Sequence, residues 1–186
     1  METTAIDIHL ELIENCKAGD TNAFNKLYKL YAKGMYNVAL RIVKDEDEAK
    51  DILQEAFVKA YDKLEQFNYQ ATFGAWLKRI VVNQALDFLR KKKDLIFNYE
   101  SEAEVDYRTV EEEEKDWELV DITVSKVKRA MESLPNGFRV VCSMFLFEGY
   151  EHKEIAEVLG ISESTSKSQY HRAKIKIKEM IGSYEG

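Results

Sequence analysis

The 186-residue chain is long enough for one large domain or two small ones, and its single proline, eight glycines and many Leu, Ile, Ala, Lys and Glu residues argue for an almost wholly helical protein; no run alternates as a strand does. The formal net charge of −7 argues against a DNA-binding protein only until it is mapped, because residues 94–121 hold twelve acidic and two basic residues, a local −10 that leaves +3 on the rest. The first residues, METTAIDIHLEL, lack the basic start and apolar core of a signal peptide, and no run reaches the ~20 apolar residues of a membrane span, so a cytoplasmic protein is expected.

Ile8 to Lys17 is expected to form a short amphipathic helix, with Ile8, Leu12, Ile13 and Cys16 on one side. Gly19 and Asp20 break it, and Asp20 or Thr21 can cap the next helix. There Phe24, Leu27, Tyr28, Tyr31, Met35, Tyr36, Ala39 and Ile42 mark an apolar stripe to about Val43. Asp45, Glu46, Asp47 and Glu48 open the following helix, since carboxylates are favourable near the positive end of a helix dipole. Its apolar face comprises Ala49, Ile52, Leu53, Ala56, Phe57, Ala60, Tyr61 and Leu64, and the opposite side shows Asp51, Gln54, Glu55, Lys59 and Asp62. Two readings of that polar side stay open, a solvated surface and a dock for a partner helix.

Residues 66–72, QFNYQAT, interrupt the periodicity and predict a loop. Thr72 can cap a further helix with Phe73, Trp76, Leu77, Ile80, Ala85, Phe88 and Leu89 inward, leaving Lys78, Arg79, Asn83 and the basic run Arg90 to Lys93 accessible. Aromatics and amides beside a basic helix suit unpaired DNA: π faces and edge donors for unstacked bases, cations for the backbone. The alternative is that Tyr69 merely packs and that the basic run is a helix end favoured by the dipole.

Residues 94–121 resemble an acidic tether, with Glu111 to Glu114 in succession and Trp117 as the one large anchor. Val120, Val124, Val127, Ala130, Met131 and Leu134 then mark a helix, Pro135, Asn136 and Gly137 turn the chain, and Phe138, Val141, Cys142, Phe145 and Leu146 define a supporting helix. Residues 149–178 read as a helix-turn-helix. Ile155, Ala156, Val158 and Leu159 give the first helix an apolar side; Gly160 ends it, Ile161 plugs the corner, and Ser162 caps the second helix. On that second helix Ser166, Tyr170, Ala173 and Ile177 share the packing side, whereas Ser164, Lys167, Ser168, His171 and Arg172 cluster on the other, where their donors suit base edges and phosphates in a major groove. A solvated basic face is the competing reading, and Ile175, pointing outward, fits neither face.

His9, His152 and His171 have no metal-ligand spacing, and no glycine-rich phosphate loop is present, so neither a metal, a cofactor nor an enzymatic reaction is expected. Cys16 and Cys142 lie in apolar helical patterns and read as buried thiols of a reducing compartment. The residues alone suit contact with duplex and with unpaired DNA, as in a free-standing helix-turn-helix regulator; a loose acidic tether between two basic units argues against that function, since a dimeric regulator gains little from one.

In chain order, DILQEAF from Asp51 to Phe57, FGAWLKRIVVN from Phe73 to Asn83, Leu89 to Lys92, Leu134-Pro135, and Gly149 to Lys174 together resemble a bacterial RNA polymerase sigma factor of the sigma-70 family, extracytoplasmic-function (ECF) group. The resemblance implies an all-α fold of two small helical domains: residues 1–93 for core polymerase and the minus-10 element, an acidic linker 94–121, and residues 122–186 with the helix-turn-helix for the minus-35 element. It implies promoter DNA and core RNA polymerase, through the β′ clamp helices and the β flap, as partners, and makes an anti-sigma factor a further one. Carried onto this sequence, core binding falls to Asp47, Asp51, Gln54, Glu55 and Lys59. Capture of a flipped minus-10 base and its strand falls to Phe67, Asn68, Tyr69, Gln70, Thr72, Trp76, Arg79, Asn83, Arg90 and Lys91. Minus-35 contacts fall to Ser164, Thr165, Lys167, Ser168, Gln169, His171, Arg172 and Lys174. The chain departs from the common pattern at Ser166, where an aliphatic residue is usual, at Gln169, where Arg is usual, and at Tyr150.

Overall fold

A computed structural model describes residues 9–93, 95 and 124–182. The start of the first helix at Ile8, the acidic connector except Leu95, and with it Trp117 and Val120, lie outside the described residues. The chain divides into two compact units, residues 1–92 and 93–186. Among the described residues all regular structure is helical, as expected of an all-α chain.

Unit 1 contains α1 (Leu10–Lys17), α2 (Thr21–Val43), α3 (Glu46–Asp62), a 3-10 turn at Leu64–Gln66 and α4 (Phe73–Lys91). Side chains cap the three long helices. Asp20 accepts from the N–H groups of Asn22 and Ala23 at 2.8 and 3.3 Å, Asp45 from those of Asp47 and Glu48 at 2.9 Å each, and Thr72 from that of Ala75 at 3.3 Å. Each cap is worth about 1 kcal/mol against alanine. α2, α3 and α4 pack mutually and α1 lies on α2. The core they enclose includes Leu27, Ile42, Ile52, Phe57, Phe73, Leu77 and Leu86, and full burial of each such side chain contributes roughly 1.5–3 kcal/mol.

Several expectations for this unit need correction: Tyr28 of the α2 stripe is 37 % exposed, its ring edge-on to Phe57 at 4.7 Å. Tyr61 is 42 % exposed: its ring packs edge-on against Phe24 at 4.9 Å, at the margin of the α2–α3 seam, and its amphipathic body tolerates that position. On α4 the buried residues are Phe73, Leu77, Val81, Val82, Ala85, Leu86 and Leu89, with Trp76, Ile80 and Phe88 only half-buried. α4 packs on both α2 and α3, which rotates and widens its buried arc beyond a single stripe. Where α4 begins, a Cβ on Gly74 would lie 2.9 Å from the ring of Tyr31. Tyr31 is itself held by the His9 ring, its hydroxyl 2.8 Å from Nδ1, so the glycine permits the close approach of α2 and α4.

Among the described residues, unit 2 is a cluster of α5 (Val124–Ser133), α6 (Asn136–Leu146), α7 (His152–Leu159) and α8 (Glu163–Gly182). Ala130, Met131, Leu134, Phe138, Cys142, Ala173, Ile177 and Ile181 form its core, so α5 and α6 brace the inner side of α8. Gly137 lies inside α6; the extended residue before the helix is Pro135. Leu146, expected to pack, is 49 % exposed at the last residue of α6. Arg139, 2 % exposed, donates to the Leu134 carbonyl at 3.2 Å and ties the α5–α6 corner; burial pulls its pKa down to about 10, so it stays charged at neutral pH.

Candidate functional site

The helix-turn-helix is α7 and α8. Gly160 leaves α7 at φ 70°, a region glycine enters without strain, and the N–H groups of Gly160 and Ile161 return to the Ala156 carbonyl at 2.9 and 3.1 Å. Ser162 caps α8: its Oγ accepts from the Thr165 N–H at 3.0 Å and lies 2.7 Å from the hydroxyls of both Ser164 and Thr165. At the other end of the motif, the Glu154 carboxylate accepts from the Glu151 N–H at 2.8 Å.

On α8, Ser164 and Lys167 are exposed, and Thr165, Ser168, His171, Arg172 and Lys174 are half-buried. Lys167 pairs with Glu163 at 2.7 Å, both side chains about half in water. Such surface pairs contribute only a few tenths of a kcal/mol, so a phosphate can replace the carboxylate. Ile175, 40 % exposed, continues this outer side by one turn. Gln169 does not belong to it. It is 1 % exposed, three residues from buried Ser166 and four from buried Ala173, in the middle of the packing stripe, and reaches no base edge. That offset pattern was the available signal for its burial.

Ser166 occupies its unusual packing position because His152 receives it: Nδ1 of His152 lies 2.9 Å from the Ser166 hydroxyl. The His152 ring stacks on Phe145 at 4.5 Å with an interplanar angle of 12°, and Tyr170 lies 4.6 Å from Phe145. One imidazole therefore joins α6, α7 and α8. Burial first, and Lys167 second, lower its pKa.

In unit 1 the predicted loop is present between the 3-10 turn and α4. Phe67, expected to meet a base, is 2 % exposed. Its ring lies 4.7 Å from Tyr69, 5.3 Å from Trp76 and 5.9 Å from Phe73, making it the floor on which the loop rests. Asn68, Gln70 and Thr72 are exposed around that floor, and Tyr69 and Trp76 are half-buried. The Gln70 N–H donates to the Asn68 side chain at 3.3 Å, an Asx-type turn, and Tyr69 takes φ 63°. Along α4, Trp76, Arg79, Asn83 and Arg90 share one side at helical offsets, with Arg79 and Asn83 exposed. Arg90 pairs with Asp87 at 2.9 Å, and Lys91 is exposed at the helix end. Lys92 instead turns back to α3, where it pairs with Glu48, its ammonium 4.8 Å over the Phe88 ring.

The polar side of α3 presents Asp47, Asp51, Gln54 and Glu55 to solvent, with Lys59 half-buried. Gln84 of α4 braces the last two: Lys59 donates to its Oε1 at 3.2 Å, and its Nε2 donates to Glu55 at 3.4 Å. Val58, 62 % exposed, stands among these residues, seven from Asp51 and four from Gln54. The sequence reading passed over it, although an apolar residue on the polar side of an otherwise regular amphipathic helix was the signal.

Two helical units, one with a helix-turn-helix and one with an aromatic loop beside a basic helix, are the architecture of a DNA-binding transcription factor. Residues 27–94 match the family described as Sigma-70 region 2, and residues 124–177 match Sigma-70, region 4. The chain is 31 % identical over 173 residues to the ECF RNA polymerase sigma factor SigM of Mycobacterium tuberculosis, covering 92 % of this chain and 84 % of that one. It is 30 % identical over 179 residues to the RNA polymerase sigma-H factor of Pseudomonas aeruginosa, covering 92 % of each. The chain therefore belongs to the sigma-70 family, in the extracytoplasmic-function group of RNA polymerase sigma factors. As such it is an initiation factor that directs RNA polymerase to promoters. Its fold is similar to that of the sigma factor RpoE solved with the anti-sigma factor NepR from Bartonella quintana, with a TM-score of 0.56, 20 % identity, and 86 % of this chain and 96 % of that one covered. CnrH, solved with the cytosolic domain of CnrY, matches with a TM-score of 0.55 and 23 % identity over 92 % of this chain and 96 % of that one. Among the described residues no helix is long and apolar enough to cross a membrane.

Proposed function

We propose that this sigma factor divides its work by unit. Residues 1–93 bind core polymerase and the minus-10 element, residues 94–121 connect, and residues 122–186 bind the minus-35 element as duplex DNA. The observation that carries this division is the outer side of α8, where Ser164, Thr165, Lys167, Ser168, His171, Arg172 and Lys174 form one polar and basic strip that the Ser162 cap holds in register. Gln169 supports that strip from beneath.

In unit 1, Tyr69 with Asn68, Gln70, Thr72 and Trp76 receives an unstacked minus-10 base, and Arg79, Asn83, Arg90 and Lys91 hold its strand. Phe67 is the floor of that site. The β′ clamp helices dock on Asp47, Asp51, Gln54, Glu55 and Lys59, with Val58 as the apolar centre of the contact. The β flap docks on unit 2. RpoE was solved with the anti-sigma factor NepR, and a protein of that kind is proposed to restrain this chain as well. The chain catalyses nothing itself: phosphodiester chemistry belongs to the polymerase, and the site of action is the cytoplasm where that enzyme works.

The division is tested by variants of the two basic faces. Lys167→Ala and Arg172→Ala should each weaken binding to the minus-35 duplex by about 1–3 kcal/mol. Arg79→Ala and Asn83→Ala should leave that duplex affinity unchanged and slow open-complex formation. Unchanged duplex affinity in both α8 variants contradicts the assignment of α8.

A further inference from the structure

We infer that α1 is a working part of the strand-opening loop, with Lys17 and Glu14 as positioning residues for Tyr69. The inference rests on the reading of residues 67–72 as the minus-10 loop and adds an element that lies some fifty residues earlier in the chain.

Lys17 is the keystone. Its side chain is only 17 % exposed. The ammonium donates to the Phe67 carbonyl at 3.1 Å, lies 4.3 Å from the centroid of the Tyr69 ring, and stands 3.9 Å from the Glu14 carboxylate. Glu14, one turn earlier on α1, in turn accepts a hydrogen bond from the Tyr69 hydroxyl. Tyr69 is thus gripped at its ring by one α1 residue and at its hydroxyl by another, while the backbone of its neighbour Phe67 is pinned by the same lysine.

That grip answers a question the loop poses. Tyr69 has φ 63°, a conformation that is strained for a residue other than glycine and persists only where the surroundings over-determine it. The Asx-type turn at Asn68 helps, but the contacts that reach the side chain come from α1. With Lys17 over the ring, Phe67 packed against it at 4.7 Å and Glu14 on its hydroxyl, Tyr69 is presented to a base in one orientation rather than many. A platform ordered before the base arrives lowers the conformational cost of capturing it. Glu14 would be misplaced as a DNA contact, because a carboxylate repels phosphate; as the acceptor for a phenol hydroxyl, with Lys17 beside it, its charge is offset. Lys17, mostly buried and with its ammonium already engaged, acts through Tyr69.

The experiment uses the full chain with core polymerase on a promoter carrying 2-aminopurine in the minus-10 element, whose fluorescence reports unstacking. Lys17→Met keeps the apolar stem and removes the charge and the donor. It should slow opening roughly five- to tenfold, the loss of one hydrogen bond and one cation–π contact. Core affinity and minus-35 duplex affinity should stay at parental values, and Lys17→Arg should restore most of the rate. Tyr69→Phe, which deletes the hydroxyl's bond to Glu14 and its interaction with Lys17 while keeping the ring, should slow opening about two- to threefold. In a Tyr69→Ala background, Lys17→Met should cause no further loss. Opening at the parental rate in both Lys17→Met and Tyr69→Phe, while Tyr69→Ala is slow, overturns the role of α1 and leaves the loop assignment standing. Additive losses in the double variant overturn it too, since Lys17 then acts on DNA independently of Tyr69. Parental opening in Tyr69→Ala removes the loop assignment and this inference with it.

Discussion

His152 charges only at the expense of the unit it holds together. Stacked on Phe145 and bonded to Ser166, it has a pKa below its ordinary 6.5 through burial and the nearby Lys167, with Glu163 opposing the shift. The unfolded chain therefore binds the proton more readily, so this contribution to stability is complete above pH 6.5 and is lost as pH falls through the lower, folded value. Unit 2 should melt at a lower temperature at about pH 5.5 than at about pH 7.5, and His152→Gln should shrink that difference. Asp45 and Glu163 also have lowered pKa values, but they lose their contributions near and below their ordinary 3.8 and 4.5, outside that window. A pH difference that persists undiminished in His152→Gln contradicts this role. The same network explains how a serine can occupy the packing side of α8, where the helical spacing placed it. A hydroxyl on a packing stripe is acceptable once a histidine fourteen residues earlier faces it, and only the fold brings the two together. Gln169 was misplaced among the base contacts, although its offsets from Ser166 and Ala173 already pointed inward.

Among the elements, α3 was the most legible. The Asp45 cap, the acidic first turn and the three-and-four spacing from Ala49 to Ala60 agree, and every one of these apolar positions is buried. α4 was harder, because packing against two helices buries Val81, Val82 and Leu86 and leaves Trp76, Ile80 and Phe88 at the margin, which a single-stripe reading inverts. The link from α1 to the loop was not legible at all: Lys17 and Phe67 are 50 residues apart, and Glu14 and Tyr69 are 55. No periodicity encodes such a pairing. The outward side of α3 carries its own test. Glu55→Lys should weaken association with core polymerase at least about tenfold, by reversing a charge within the docking surface, and Val58→Ser should weaken it by roughly 1 kcal/mol through lost apolar contact. Both should leave the minus-35 duplex affinity of unit 2 unchanged. Competition for core enzyme against a second sigma factor measures the effect, and parental competitiveness in both variants contradicts α3 as the docking helix.

At the scale of the whole molecule, the acidic total and the DNA-binding function are compatible because the charge is segregated. All of the acidic segment 94–121 except Asp94 lies outside both regions that match the family, whereas Arg79, Arg90, Lys91, Lys167, Arg172 and Lys174 lie inside them. Membership of the family was legible because its motifs occur in order along most of the chain; residue roles were less so, because Phe67 and Gln169 have the right chemistry for contact but are buried. The central claim is that this chain, with nothing else added, makes core RNA polymerase promoter-specific. Run-off transcription with purified core enzyme, on a template whose start site has been mapped after overexpression of the chain, tests it most directly. A transcript of the mapped length that appears only when the chain is added is the expected result; no such transcript, from a chain that fails to join the core enzyme, would contradict it.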